Sequence, residues 1–345
     1  MIKIRIIFNL VGTGLGNNGG SQSIIRMAIE LHNLGNDVKI LLDGSNRFDW
    51  FGGFDYLLKY IDSNIDEIYW PKCDVIIATG CGTVKSTLYY PHVGLNNKFY
   101  WIRGHETWAM SEDDLFKNYK SGLNLLVNSE WLKEMIFKRC GVGSKIQYPG
   151  YISIDNYEIL TIYNERINLG ALYYADKLTK RFDQVVNIAI ELKKIKMINK
   201  LILFGNKPIT SYYVENLVVN NIPYKFLLKP TYEEKIKLMK ECNIWLATTE
   251  LEGLHIPPIE AGLCGCNLVV KGLYSSGIND YAIDNVTAKT FLTTDEAIKK
   301  IVEYKNNHSE MDLHKKNLLY ILHNKIGDVE ENALKLQNIL KLSLE

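Results

Sequence analysis

Short runs of branched apolar residues alternate along this chain with stretches whose apolar positions recur every three to four residues, the mark of strands followed by amphipathic helices. Residues 4–10 form the first run. A glycine-bearing loop at 12–20 follows, and then Ile24, Ile25, Ala28, Ile29, Leu31, His32 and Leu34 fall on one face of a helix that Gly35 ends. Ser21 or Ser23 is expected to cap that helix. Residues 38–42 read as the next strand, so the order is that of a βαβ unit with parallel strands. Further strands are expected at 74–78, 99–102, 123–127 and 145–150. Ser129 heads a helix that runs through Trp131, Met135 and Ile136 to Gly141.

Residues 151–166 lose this periodicity and carry several polar breaks, as an interdomain linker does. A second series then gives strands at 167–173, 200–204, 224–228, 243–247 and 267–270, separated by helices near 182–195, 232–240 and 257–263. At 345 residues the chain is longer than one core usually serves. The expected fold is therefore α/β, with two Rossmann-like domains at 1–150 and 151–325, each built on a parallel sheet. A ligand crevice is expected at the strand carboxyl ends, with the domains facing each other across it. The segment 326–345 contains a helix at 329–342 that is expected to pack back on the first domain.

Composition narrows the class. Hydrophobic residues make up 47% and charged residues 23%, the balance of an ordinary globular protein. A net charge of +1 argues against a stable nucleic-acid partner, which calls for a basic field. The opening Met-Ile-Lys-Ile-Arg-Ile-Ile-Phe reads as a strand, not a signal peptide. No apolar run approaches the roughly 20 residues that span a bilayer. Six scattered cysteines lack metal-ligand spacing, and Cys264-Gly-Cys266 is too close for a zinc knuckle. Buried thiols in a reducing, cytoplasmic compartment are expected, with no metal and no resident cofactor.

The most informative stretch is Thr248-Thr-Glu-Leu-Glu252-Gly-Leu-His-Ile-Pro-Pro-Ile-Glu260-Ala-Gly-Leu-Cys-Gly-Cys. A strand ends near Thr249, a glycine-bearing turn follows, and Pro257 suits the first turn of a helix. The amides of Gly253, Leu254 and His255 would then face a crevice with the positive helix end behind them, which suits a diphosphate. Glu260, one turn in, and Glu252 are suited to accept from sugar or ribose hydroxyls.

Glu252 and Glu260 enclose seven residues, and the segment resembles the donor-binding motif of retaining GT-B enzymes in glycosyltransferase family 4. Gly19-Gly20-Ser21, Val127-Asn-Ser-Glu-Trp-Leu, Pro149-Gly150 and the stretch 226–247 are similar to further family segments, so the resemblance spans most of the chain. It implies that Glu260 binds the nucleotide ribose and that Glu252 meets the donor sugar or its phosphate-proximal side. In the cluster Asp176-Lys-Leu-Thr-Lys180-Arg181-Phe-Asp183, Lys180 matches the family lysine that meets the departing phosphates, with Arg181 beside it. The family arginine would stand at Ala171, after Gly170, and this chain departs there. Lys177 or Arg181 is left to supply that charge.

The resemblance also makes His105, in Trp101-Ile-Arg-Gly-His105-Glu106-Thr-Trp108, a candidate wall of the active site, with Arg103 and Glu106 as alternatives. Gly19 and Gly20 would let the backbone approach the donor phosphates or the acceptor. His255 stands where the family usually has glycine, either adding a donor near the phosphates or filling space. Asp280 is a looser match to a family acid, and Trp50 and Trp108 are candidate sugar platforms.

The function implied is metal-independent transfer of a sugar, with retention, from a nucleotide-diphosphate sugar. The acceptor is a glycan, lipid, protein or nucleic acid, bounded by Gly19, Gly20 and His105. No Asp-x-Asp clamp is present in the sequence. Three rivals stand beside this reading. A silent GT-B-shaped binding protein follows from the departure at Ala171, and a nucleotide-sugar epimerase of the same fold needs no acceptor. An NAD(P)-dependent oxidoreductase would use Gly14-Leu-Gly16-Asn-Asn-Gly19 with Asp43 as its ribose acid. Lys133, Lys138, Arg139 and Lys145 offer a peripheral membrane contact, against the alternative of a solvated helix face.

Overall fold

The computed structural model describes residues 3–44, 50–62, 64–154, 165–174 and 178–345. The chain divides into two compact units, one of Met1–Gly150 with Gly327–Glu345 and the other of Tyr151–Ile326. Residues 155–164 of the expected linker lie outside the described residues.

The first unit contains β1 (Arg5–Asn9), α1 (Gly19–Asn33), β2 (Asp37–Asp43), β3 (Leu58–Ile61), β4 (Val75–Ala78), α2 (Val84–Tyr89) and β5 (Lys98–Ile102). It continues with α3 (Glu112–Tyr119), β6 (Asn124–Val127), α4 (Glu130–Cys140) and β7 (Lys145–Ile146). The sheet order is β3-β2-β1-β4-β5-β6-β7, with every pairing parallel. Strands covered on both faces need continuous apolar runs, which is why Ile6, Ile7 and Phe8 are all buried.

Helix α1 starts earlier than the serines suggested. Asn18 caps it, its side chain accepting from Ser21 N at 2.9 Å, while Ser21 and Ser23 lie inside the helix. Asparagine is at least as good a cap as serine, and the Ser23 hydroxyl instead donates to Gly19 O one turn back, at 2.7 Å. Strand β7 is shorter than expected because Pro149 brings no amide to a ladder and Gly150 turns the chain at φ 73. A β-carbon on Gly150 would lie 2.5 Å from Asp328 O and Val329 N, so this glycine admits the returning chain.

The second unit contains β8 (Ile167–Tyr173), α5 (Phe182–Lys194), β9 (Ile198–Gly205), α6 (Ser211–Val219), β10 (Tyr224–Leu228), α7 (Tyr232–Lys240) and β11 (Ile244–Ala247). Then follow α8 (Ile256–Leu263), β12 (Asn267–Lys271), β13 (Lys289–Phe291), α9 (Thr294–Asn306) and α10 (His308–Ile321). All its pairings are parallel, in the order β10-β9-β8-β11-β12-β13. Finally α11 (Val329–Leu342) returns to the first unit, where Ala333, Leu336 and Leu340 join the core formed by β1, α1 and β2.

Strand order reverses between β1 and β4 in one sheet and between β8 and β11 in the other. In open parallel sheets such reversals open crevices beyond the strand carboxyl ends, where ligands bind.

Candidate functional site

In the second unit the chain leaving β11 is stitched to the loop that follows β8. Thr248 Oγ1 donates to Lys180 O at 2.9 Å, Glu250 N to Thr179 O at 2.8 Å, and Ser275 Oγ to Glu250 O at 2.9 Å. These bonds bring Lys180 and the turn 250–255 together at the β8/β11 reversal. Leu172, Lys180, Thr248, Thr249 and His255 line one small depression there.

The turn delivers the chain into α8 through His255, whose backbone is left-handed with φ 65 and ψ 74. Pro257 and Pro258 follow in the first turn, where an amide would lack a helical partner anyway. The amide hydrogens of Gly253, Leu254 and His255 have no acceptor among the described residues. They stand at the positive end of the helix, an arrangement made for an anion.

Around the turn, Lys180 ion-pairs with Glu252. The His255 ring is buried, and its Nε2 has no hydrogen-bond partner among the described residues, with Glu252 Oε1 3.9 Å away. Burial, reinforced by the nearby Lys180 charge, pulls the imidazole pKa well below its ordinary value. Glu260 is 2% exposed and accepts from Lys235 Nζ of α7 at 2.6 Å. A buried carboxylate requires such a partner.

The Arg181 guanidinium, like the Lys180 ammonium, is engaged by acids. Its Nη1 donates to Glu250 at 2.6 Å, and its Nε and Nη2 donate to Asp183, each at 3.1 Å. Glu250 also accepts from Lys271 Nζ at 2.7 Å, and Lys271 donates to Gln184 at 3.2 Å. Burial works against ionisation of Glu250, but the hydrogen bonds from Lys271 and Arg181 win and keep its pKa low. Arg181 is thus a clamp between loops. The arginine place at Ala171 is likewise explained: β8 runs on to Tyr173, and Ala171 is fully buried in the core of the unit. A guanidinium at 171 would be desolvated without a partner. Lys177 lies outside the described residues.

Lys235, Glu250 and Lys271 escaped the sequence reading. Glu250 sits inside the informative stretch, and Lys271 ends a branched strand near the sheet reversal, so both carried a positional signal. Lys235 carried none, because its pairing with Glu260 bridges two helices.

The β1/β4 edge of the first unit is organised otherwise. Half-buried Arg103 donates through Nη1 to Gly20 O and through Nη2 to Thr79 O, leaving Nε without a partner among the described residues. A β-carbon on Gly20 would lie 2.8 Å from Arg103 Nη1, whereas one on Gly19 meets nothing within 4 Å. The space beside Gly20 is taken by the Arg103 guanidinium, and that beside Gly19 is open. His105 is buried, its Nδ1 3.2 Å from the Tyr119 hydroxyl and its Nε2 3.4 Å from Glu112 Oε1, with Phe116 stacked at 5.9 Å. Both ring nitrogens are engaged by α3. Glu106 Oε2 accepts from Cys81 N at 2.6 Å and from the Tyr100 hydroxyl at 3.4 Å.

The remaining candidates separate clearly. Trp50 packs against the first unit's core and donates to Leu15 O at 3.3 Å, so it is no open platform, while Trp108 is 59% exposed. Asp280 is buried. Strand β1 ends at Asn9 and α1 begins at Gly19, so the run Gly14–Gly16 lies ahead of the helix and not across a direct strand-to-helix turn. On α4, Lys133 pairs with Glu130, Lys138 with Glu134 and Arg139 with Glu112, the pattern of a solvated face. All six cysteines are free thiols. Among the described residues no group of three or more His, Cys, Asp or Glu is placed to hold a metal ion, and no helix is long and apolar enough to cross a membrane.

Two α/β units with seven and six parallel strands define the GT-B architecture, and this chain has that fold. A point mutant of S. aureus TarM in complex with fondaparinux, α-GlcNAc-glycerol and UDP matches with a TM-score of 0.74 at 11% identity, over 98% of this chain and 99% of that one. Anabaena HepE in complex with UDP and glucose matches at 0.74 and 14% identity, over 98% and 100%. Sucrose-phosphate synthase from Thermosynechococcus elongatus matches at 0.74 and 13%, over 99% of both chains. No family model and no curated protein matches the chain.

Proposed function

We propose that this protein is a glycosyltransferase of the family 4 kind, moving a sugar from a nucleotide-diphosphate sugar to an acceptor hydroxyl with retention of configuration. The observation that carries the reading is the convergence of Lys180, Glu252 and the open amides of 253–255 at the β8/β11 edge, with Glu260 one turn further along α8. When the bond between the anomeric carbon and the phosphate oxygen breaks, negative charge grows on the departing diphosphate. Lys180 and the turn amides meet that charge with donors already in place, so little reorganisation is required. The donor phosphate competes with Glu252 for Lys180, which leaves the Glu252 carboxylate for the sugar. Glu260 receives a ribose hydroxyl on the oxygen that Lys235 does not hold. Cations and amides perform the charge neutralisation, so the reaction is assigned no metal ion.

Arg181 contributes by fixing Glu250 and hence the turn. In the other unit Gly19 is the position through which backbone meets a ligand, and His105 shapes that edge through α3. That TarM and HepE, which share the fold, were obtained with UDP supports a uridine nucleotide as the first donor to test. The free thiols support a reducing, cytoplasmic setting.

The test is a panel of UDP-, GDP- and ADP-sugars, followed by calorimetry and by release of free nucleotide. One donor is expected to bind and to be slowly hydrolysed. Binding of nicotinamide dinucleotides with no response to any nucleotide sugar would sink the reading. The absence of arginine at 171 and the Lys180–Glu252 pairing favour one second reading, a silent binding protein. Any turnover eliminates it.

A further inference from the structure

His255 carries a buried ring nitrogen to which no described residue gives a hydrogen bond, the Glu252 carboxylate standing 3.9 Å away. It occupies the left-handed region at φ 65, where a β-carbon is strained and glycine is at ease. The fold nevertheless holds an imidazole there, with its side chain 4% exposed and Nε2 unbonded among the described residues. A buried ring nitrogen left in that state costs stability unless a ligand completes it. Three amides of the same turn also lack acceptors, and Lys180 lines the same depression. Among the described residues Lys180 and the three amides are donors there, the imidazole becomes one on protonation, and Glu252 is an acceptor.

We propose that His255 recognises the diphosphate of the donor and takes up a proton from solvent as the diphosphate enters. The inference rests on the nucleotide-sugar reading above. Before a diphosphate enters, burial and the Lys180 charge keep the imidazole neutral near neutral pH. The groups facing it are Lys180 and Glu252, together with Tyr281, whose hydroxyl donates to His255 O at 2.6 Å and whose ionisation is pushed far up by burial. An entering diphosphate pairs with Lys180 and gives Nε2 an acceptor, and both changes favour the imidazolium. The proton comes from solvent and stays on the ring, and no bond is broken. Because the liganded pKa lies above the empty one, affinity rises as pH falls through the liganded value.

The experiment is calorimetric titration of the full chain with UDP, and with GDP and ADP in turn, slightly above neutral pH in two buffers of different ionisation enthalpy. The same titrations are made on His255→Gly, a substitution the positive φ favours, after a thermal melt shows that it folds. Ionisation of the nucleotide itself is common to both proteins, so the difference isolates the imidazole. Wild type is expected to take up as much as about one proton more than the variant. The variant is expected to bind about tenfold more weakly. Equal proton numbers for the two proteins, with nucleotide bound by both, overturn the inference and leave the nucleotide reading intact. If wild type binds none of the three nucleotides, that reading fails and this inference fails with it.

Discussion

At the β1/β4 edge the charged side chains are held mostly by the protein itself, with Arg103 Nε an exception among the described residues, whereas at the β8/β11 edge a run of three amides and a buried imidazole nitrogen have no such partner. Both edges sit at a reversal of strand order, and both follow glycine-bearing loops. In the first unit Arg103 holds two backbone carbonyls, Glu106 receives a backbone amide, and His105 has both nitrogens engaged. In the second, three adjacent amides and the His255 Nε2 lack partners among the described residues, and Lys180 is balanced by an acid that an anion can displace. A satisfied network makes a scaffold. Adjacent unsatisfied donors beside a helix end suit a receptor, because buried donors are costly to leave without acceptors and an anion supplies several at once.

The comparison breaks most readily at Glu260. Glu260→Ala leaves the part-buried Lys235 without its partner, and the second unit is expected to lose about 2–3 kcal/mol in urea unfolding. The double variant Lys235→Met with Glu260→Leu is expected to recover most of that stability but not donor binding. A double variant that still binds donor like wild type would remove the ribose assignment.

Next comes Lys180→Ala. Its kcat is expected to fall by about 10²–10³-fold, with a smaller change in donor Kd, because the lysine meets charge that grows mainly as the diphosphate leaves. A fall in affinity as large as the fall in kcat would place Lys180 in ground-state binding only.

The two glycines of the first unit form a sharper pair. Gly20→Ala pushes the Arg103 guanidinium off Gly20 O and is expected to cost about 1 kcal/mol, the worth of one hydrogen bond, read as a lower Tm. Gly19→Ala has open space and is expected to leave stability within about 0.5 kcal/mol. If Gly19 meets a ligand, that variant lowers kcat/KM without moving Tm.

The smallest effect is on pH dependence. Glu250 has a folded pKa below its unfolded one, so its contribution is present above the ordinary carboxylate range and disappears as pH falls through the folded value. Glu250→Gln is expected to be less stable than wild type at neutral pH by about 1 kcal/mol, since the pair is partly solvated. The two proteins converge in acid. A constant gap across pH in denaturant titrations would show that the carboxylate charge is not what holds the loops.

How far the sequence could be read depended on the range of the signal. Strands β8 and β10 and helices α7 and α11 have the bounds that pattern alone predicts, and α4 runs from its Ser129 cap to Gly141, left-handed at φ 71. Strands β3 and β13 escaped because they are very short edge segments, and β3 is largely half-exposed, so neither shows a usable apolar period. The turn into α8 was legible from Gly253 and the proline pair. The fate of Arg181 was not, since a cation beside Lys180 looks the same in sequence whether it faces a ligand or Glu250.

The sequence by itself determined the alternating parallel architecture, the ends of helices such as α4, α7 and α11 and the strand-to-helix turn that offers its amides, since caps and periodicity act within a turn or two of the chain. Only the tertiary structure decided which charges are open and which are bound. Lys180 meets Glu252 across 72 residues, Glu260 meets Lys235 across 25, and Arg103 reaches Gly20 across 83. Such pairings depend on which strands become neighbours and how deeply each side chain is buried, and both follow from the packing of whole sheets.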